Sequence, residues 1–123
     1  MIPLVDLKAQ YASIAPEINE AIDRVLRHTQ FIKGPELDAF EDVFARTCGV
    51  RESVGVASGT AALYLTLVAL DIGPEDEGIT TPHTFIATAE AIRETGATPV
   101  FVDIDPQSYN LDPERVRSAI TPR

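Results

Sequence analysis

Val54-Gly55-Val56-Ala57-Ser58-Gly59-Thr60-Ala61-Ala62-Leu63 is a short β-like run that breaks at small residues and passes directly into an apolar helix. A strand end that turns into a helix at Ser-Gly-Thr aims unpaired backbone N–H groups, the positive end of the helix dipole and two hydroxyls at one point. Such a point suits a phosphate. The same residues also read as a plain helix cap, with Ser58 or Thr60 as the capping side chain and Gly59 allowing the turn. Neither the Gly-x-Gly-x-x-Gly dinucleotide fingerprint nor the Gly-x-x-x-x-Gly-Lys P-loop is present, so those two phosphate sites are not indicated.

Outward from this turn, the spacing of apolar residues predicts the other elements. Toward the N-terminus, residues 1 to 12 show no periodicity and are expected to run extended, with Pro3 fixing one dihedral and Leu4, Leu7 and Tyr11 free to lie on another surface. Ile18, Ala21, Ile22, Val25 and Leu26 predict a helix from Pro16 to about His28, with acids early and Arg24 and Arg27 late, as the dipole favours. A second helix should follow Pro35, carry Leu37, Phe40, Val43 and Phe44 on its inner side, and stop at Gly49. The acids Glu36, Asp38, Glu41 and Asp42 read as its solvated face rather than as catalytic carboxylates.

Ser53 to Ala57 is the predicted first strand and Thr60 to Leu70 a buried helix. Gly78 to Thr81, ended by Pro82, is a short second strand. Thr84 to Thr95 should form a helix ending at Gly96, and Pro99 to Ile104 a third strand buried on both faces. Asp112 then caps a last helix, with Pro113 at its first position and Val116, Ala119 and Ile120 inward. Strands alternating with helices imply a parallel sheet of the α/β class, whose ligands sit beyond the carboxyl ends of the strands. Three stretches fall there: Ser58-Gly59-Thr60, Pro82-His83-Thr84-Phe85 and Asp103-Ile104-Asp105.

Composition narrows the function. The chain has 123 residues, 45% hydrophobic and 24% charged, the balance of an ordinary soluble domain. Ten Lys and Arg are scattered among nineteen acids for a formal net charge of −9, which argues against nucleic acid and anionic lipid as partners. The apolar run Ala61 to Leu70 is half of a membrane span, and residues 1 to 8 lack the pattern of a secretory signal. A single cysteine, Cys48, excludes an intramolecular disulfide and suits the cytoplasm, with the thiol expected to be packed. His83 has only His28 as a fellow histidine, so no metal site is expected.

Val56-Ala57-Ser58-Gly59-Thr60-Ala61-Ala62-Leu63, Thr80-Thr81-Pro82-His83-Thr84-Phe85-Ile86-Ala87-Thr88-Ala89 and Gly96-Ala97-Thr98-Pro99-Val100-Phe101-Val102-Asp103-Ile104-Asp105 together resemble the DegT/DnrJ/StrS family of pyridoxal-phosphate-dependent sugar aminotransferases. Ile2-Pro3-Leu4-Val5-Asp6-Leu7 and Lys33-Gly34-Pro35-Glu36 match it as well. The resemblance implies that residues 1–123 are the N-terminal part of an incomplete large domain of the aspartate-aminotransferase-like fold, three strands with flanking helices. It implies a cofactor-phosphate turn at Ser58, Gly59, Thr60 and Ala61, through backbone N–H groups and the Thr60 hydroxyl. It also places Phe85 on the pyridine ring, where the residues alone suggest a core aromatic, and it lets His83 approach the cofactor edge.

The Schiff-base lysine, the aspartate that pairs with the pyridine nitrogen and the C-terminal domain would all lie beyond Arg123; Lys8 and Lys33 match other family positions. The segment is therefore expected not to catalyse by itself and to hold pyridoxal phosphate weakly or not at all. The full-length family implies a nucleotide-sugar substrate, an amino-acid donor and a homodimer. A sugar dehydratase relative and a non-catalytic or regulatory remnant remain as alternatives. Gly78 departs from the family's usual β-branched residue and should cost packing. An unpaired Ser53 to Ala57 and an uncovered Leu63, Leu67 and Leu70 would leave the isolated polypeptide molten or prone to association.

Overall fold

The structure is a computed structural model that describes residues 4–122, so the expectations for Ile2, Pro3 and Arg123 lie outside the described residues. Among these residues the elements run α1 (Leu7–His28), α2 (Pro35–Cys48), α3 (Gly59–Ala69), β1 (Glu77–Thr80), α4 (Ala87–Glu94), β2 (Thr98–Phe101) and α5 (Pro113–Ala119). The chain divides into two compact units, one ending at Gly55 and one beginning at Val56.

In the first unit, α1 begins well before Pro16, which corrects the extended N-terminal stretch expected from the sequence. Asp6 is the reason. Its carboxylate accepts the Ala9 N–H at 3.0 Å and caps a run of helix-favouring residues, Leu7-Lys8-Ala9-Gln10. Pro16 therefore lies inside the helix, where it cannot donate to the Ala12 carbonyl. The second helix follows the sequence closely, with Pro35 in the first turn and Gly49 closing it at φ 68. Arg24 Nε donates to Glu36 Oε1 at 3.1 Å and ties α1 to α2.

The inner side expected for α2 is mostly uncovered. Leu37 is half-buried, whereas Phe40, Val43 and Phe44 are exposed, and Ala45 is the buried residue of the helix. Cys48 is exposed too, against the packed thiol expected, because it sits in the last turn of α2 where no neighbouring element covers it. Ser53 to Ala57 forms no strand among the described residues. The stretch bonds back to α2 instead: the Ser53 hydroxyl donates to the Glu41 carbonyl at 2.7 Å, and the Gly55 N–H donates to the Glu41 carboxylate. Gly55 keeps this approach clear, since a Cβ there would lie 2.6 Å from Leu37 Cδ1 and displace that methyl. Glu41 is thus a structural acceptor, not part of a purely solvated face.

In the second unit, β1 and β2 pair in parallel with Ile79 opposite Val100 and Thr80 opposite Phe101, joined by α4. The ladder extends by one bond at each end, Thr98 N–H to the Asp76 carbonyl and Val102 N–H to the Thr80 carbonyl, both 2.9 Å. The first of them lies one residue earlier than expected, and β2 is shorter than expected. The run from Pro99 was predicted to be buried on both faces through Ile104, but Phe101 is exposed and Ile104 leaves the ladder for an antiparallel bridge with Leu111.

The core consists of Thr80, Ala87, Ala91, Ile92, Ala97 and Val102, with Ala91 fully buried. Small side chains on α4 let it lie close to the sheet. At Gly78 a Cβ would meet Ile92 Cγ2 at 2.8 Å, so this glycine is filled by the helix above it rather than lost to packing. The helix starts at Ala87, not Thr84, and residues 84–86 stay in a turn. None of α3 is buried among the described residues, unlike the buried helix of a complete domain; Leu63 and, just past the helix, Leu70 are exposed as expected for residues 1–123 alone, Leu65 and Val68 are exposed too, and Leu67 is half-buried. In α5 the Asp112 carboxylate accepts the Glu114 N–H at 2.9 Å as foreseen, and Val116 and Ala119 are half-buried. Ile120 lies past the helix end and is exposed, not inward. No described helix is long and apolar enough to cross a membrane.

Candidate functional site

The turn into α3 is an N-cap built by Ser58. Its backbone is extended, at φ −165 and ψ 167, and its hydroxyl oxygen accepts the Ala61 N–H at 3.1 Å while its carbonyl accepts the Ala62 N–H at 2.9 Å. Gly59 and Thr60 are the first two residues of the helix, so their N–H groups have no partner within it and point outward from its positive end. A Cβ at Gly59 would meet nothing within 4 Å, and Ser58, Gly59 and Thr60 are all exposed. The turn is an open cradle for an anion, with the Thr60 hydroxyl and the Ser58 proton as further donors.

Gly59 and Thr80 line one groove of about 320 Å³, together with Ala62, Thr66, Ile79 and Thr88. The start of α3 therefore lies beside the carboxyl end of β1. The segment that leaves that end carries Phe85, whose side chain is 74% exposed, so the core aromatic suggested by the residues alone is not what forms. Phe85 is anchored through its backbone: its carbonyl accepts the Thr88 N–H at 3.2 Å, at the start of α4. His83 donates its N–H to Thr81 Oγ1 at 3.1 Å, the turn expected after Pro82.

From the carboxyl end of β2, Asp103 and Asp105 both fold back on their own backbone. Asp103 Oδ1 accepts the Ile104 N–H at 2.9 Å, and Asp105 Oδ1 accepts those of Ser108 at 2.7 Å and Gln107 at 3.1 Å. Hydrogen bonds from the backbone and side chain of Ser108 hold the Asp105 carboxyl below the ordinary range, so it stays charged. These carboxylates are spent on the turn. The sequence reading passed over Tyr109, whose ring centroid lies 6.0 Å from that of His83 at an interplanar angle of 36°. The available signal was an aromatic placed just after an Asp-Pro-x-Ser turn. Among the described residues no group of three or more His, Cys, Asp or Glu is placed to hold a metal.

An open helix start with two N–H groups unpaired within the helix has the chemistry for a phosphate, and the exposed phenyl ring on the segment after β1 has that for stacking on a flat ring. Known proteins with similar sequences and structures bear on the same point. The chain is 50% identical over all of its length to 34% of the UDP-2-acetamido-2-deoxy-3-oxo-D-glucuronate aminotransferase of Pseudomonas aeruginosa. It matches the structure of S. venezuelae DesV in complex with a ketimine intermediate at a TM-score of 0.94 and 48% identity, over 99% of this chain and 33% of that one. It matches NtdA of Bacillus subtilis with bound cofactor PMP at 0.85 and 35% identity, over 89% of this chain and 25% of that one. The chain thus spans a quarter to a third of the length of these relatives. The family comparison covers residues 12–123, taking in the α3 turn, the Phe85 segment and both strands, and on that match the chain belongs to the DegT/DnrJ/EryC1/StrS aminotransferase family.

Proposed function

We propose that residues 1–123 form the N-terminal part of the large domain of a nucleotide-sugar aminotransferase, and that Ser58, Gly59, Thr60, Ala61 and Phe85 make up the cofactor-binding part of its site. The observation that carries this reading is the open, Ser58-capped start of α3 beside the end of β1 that also bears an exposed Phe85. In it, the Gly59 and Thr60 N–H groups and the Thr60 hydroxyl hold the phosphate. Ala61 donates to Ser58, which leaves the Ser58 hydroxyl proton for a phosphate oxygen. Phe85 supplies a face for the pyridine ring. The cofactor, once bound, supplies an electron sink for moving an amino group. The substrates proposed for the whole enzyme are a nucleotide-linked keto-sugar and an amino-acid donor, in a cytoplasmic homodimer; the Pseudomonas aeruginosa relative acts on a UDP-linked sugar by its name.

The energetics bound what these residues can do alone. A helix start contributes about 0.3–1 kcal/mol to holding an anion, up to about 2 when partly buried, and ring stacking adds about 1 kcal/mol. Millimolar affinity needs about 4 kcal/mol. Residues 1–123 should therefore bind pyridoxal phosphate weakly and show no transamination. In a titration followed by amide chemical shifts, the Gly59 to Ala61 amides should move with a millimolar or weaker midpoint, and Thr60→Ala should weaken the response. Unmoved amides at these positions would remove the site. An absorbance band that survives dialysis and vanishes on Thr60→Ala would show that the segment binds far more tightly than this argument permits.

A further inference from the structure

We propose that Tyr109 is a positioning residue for the cofactor ring: through its ring contact with His83 it fixes the segment that presents Phe85. The inference rests on the cofactor reading above for its consequence, but the contact itself is independent of any ligand.

Two chain segments leave the carboxyl ends of neighbouring parallel strands, one after Thr80 and one after Phe101. The second makes a tight turn. Asp105 N–H donates to the Asn110 carbonyl and Tyr109 N–H to the Asp105 carbonyl, both at 2.9 Å, while Asp105 Oδ1 gathers the Gln107 and Ser108 N–H groups. This turn holds Tyr109 at φ 58, in the left-handed region that a bulky aromatic rarely occupies. The arrangement spends backbone energy on an exposed tyrosine, and such a departure in a loop is grounds for seeking a role. The structure offers one, since the ring so placed lies tilted against His83 at 6.0 Å.

His83 is the point at which the first segment can be steadied. Its backbone is tied to Thr81 Oγ1 on one side, and two residues later the Phe85 carbonyl is tied to the Thr88 N–H at the start of α4. Only Thr84 separates His83 from Phe85, and a residue spans at most about 3.6 Å, so a shift of the imidazole carries over to the phenyl ring. Phe85 is 74% exposed and owes its place to its backbone anchors rather than to burial. A ring pair bridging the two segments adds a third anchor and limits the orientations that Phe85 samples.

The test uses dilute isotope-labelled residues 1–123 with three tyrosine states. Tyr109→Asn removes the ring while keeping a residue that adopts left-handed φ readily, and Tyr109→Phe keeps the ring. Without ligand, Tyr109→Asn should abolish the ring-current shift of the His83 Cε1–H and move the Thr84, Phe85 and Ile86 amides, and Tyr109→Phe should restore both. Pyridoxamine phosphate, which cannot condense with lysines, should then bind the Asn variant about two- to tenfold more weakly, the range expected for lost ring stacking. Inorganic phosphate should bind both alike, because it uses only the helix start. Unmoved Phe85 amides in the ligand-free Asn variant would overturn the coupling. Equal losses for pyridoxamine phosphate and inorganic phosphate would overturn the positioning role in favour of a general structural one. If pyridoxamine phosphate moves nothing at Phe85 in the unsubstituted chain, the cofactor reading fails, and the ligand-free shifts alone then decide whether Tyr109 steadies the segment.

Discussion

Gly78 illustrates how one side chain's absence can set the distance between a helix and a sheet. The sequence suggests a weak strand, because glycine offers nothing to pack, yet the space a Cβ would take is filled by three carbons of Ile92 at 2.8 to 2.9 Å. Gly78→Val should therefore destabilise the second unit by about 1–3 kcal/mol through overpacking. Ile92→Ala alone should also destabilise, but Gly78→Val with Ile92→Ala should cost less in a urea melt than the two single variants summed; simple additivity would show that the strain lies elsewhere. Asp105 makes a second case. Its folded carboxyl is held below the unfolded value by Ser108, so the turn's stabilisation is complete above the ordinary aspartate range of about 4 and fades as pH falls through the folded value. Ser108→Ala should lower the contribution of the side-chain bond and weaken the acid-side dependence of Tyr109 amide protection, while Asp105→Asn should flatten it.

The helices show which sequence signals carry across to structure. Caps with two agreeing signals were legible: Asp112 with Pro113, and Pro35 with Gly49, both land where the sequence puts them. Pro16 misled because proline in a first turn is the commoner arrangement, and the competing cap at Asp6 has no proline beside it. The same physics makes Pro16 a liability. Pro16→Ala would return an N–H to pair with the Ala12 carbonyl and should raise helix stability by up to about 3 kcal/mol, offset by the freer unfolded chain. A higher urea midpoint of the helical signal is the expected result; a lower one would mean that the proline ring packs usefully. The Ser58 turn was legible for a different reason, since a small-residue break between an extended run and an apolar helix leaves few alternatives. Ser53 to Ala57 was legible in part: that it lacks a ladder partner here was expected, but that it is then no strand at all was not, because β-propensity reports only a willingness to extend. There the Ser53 hydroxyl and the Gly55 N–H bond to Glu41 instead.

Burial is distributed unevenly over the molecule, and this bears on how it should unfold. Six of the seven buried residues among those described, Thr80, Ala87, Ala91, Ile92, Ala97 and Val102, lie in the second unit, and the described part of the first contributes Ala45. The second unit also holds the parallel ladder and the bonds that lengthen it. The first unit is two helices with Ile18, Ile22, Leu26, Phe40, Val43 and Phe44 exposed, held chiefly by α-helical bonds and one inter-helix ion pair. Exposed ion pairs contribute at most about 1 kcal/mol, and short helices are marginal without a packed face. In the second unit Leu63, Leu65 and Val68 of α3 and Leu70 just after it are exposed as well, and exposed apolar surface promotes association. Residues 1–123 should accordingly melt in two stages, bind a hydrophobic dye before heating, and associate as concentration rises. Hydrogen exchange should find the amides of β1, α4 and β2 protected longest and those of α1 exchanging first. A single sharp transition from a monomeric sample, with no dye bound and with α1 as protected as β2, would mean that these exposed faces cover one another in solution and that the burial pattern misrepresents where the stability resides.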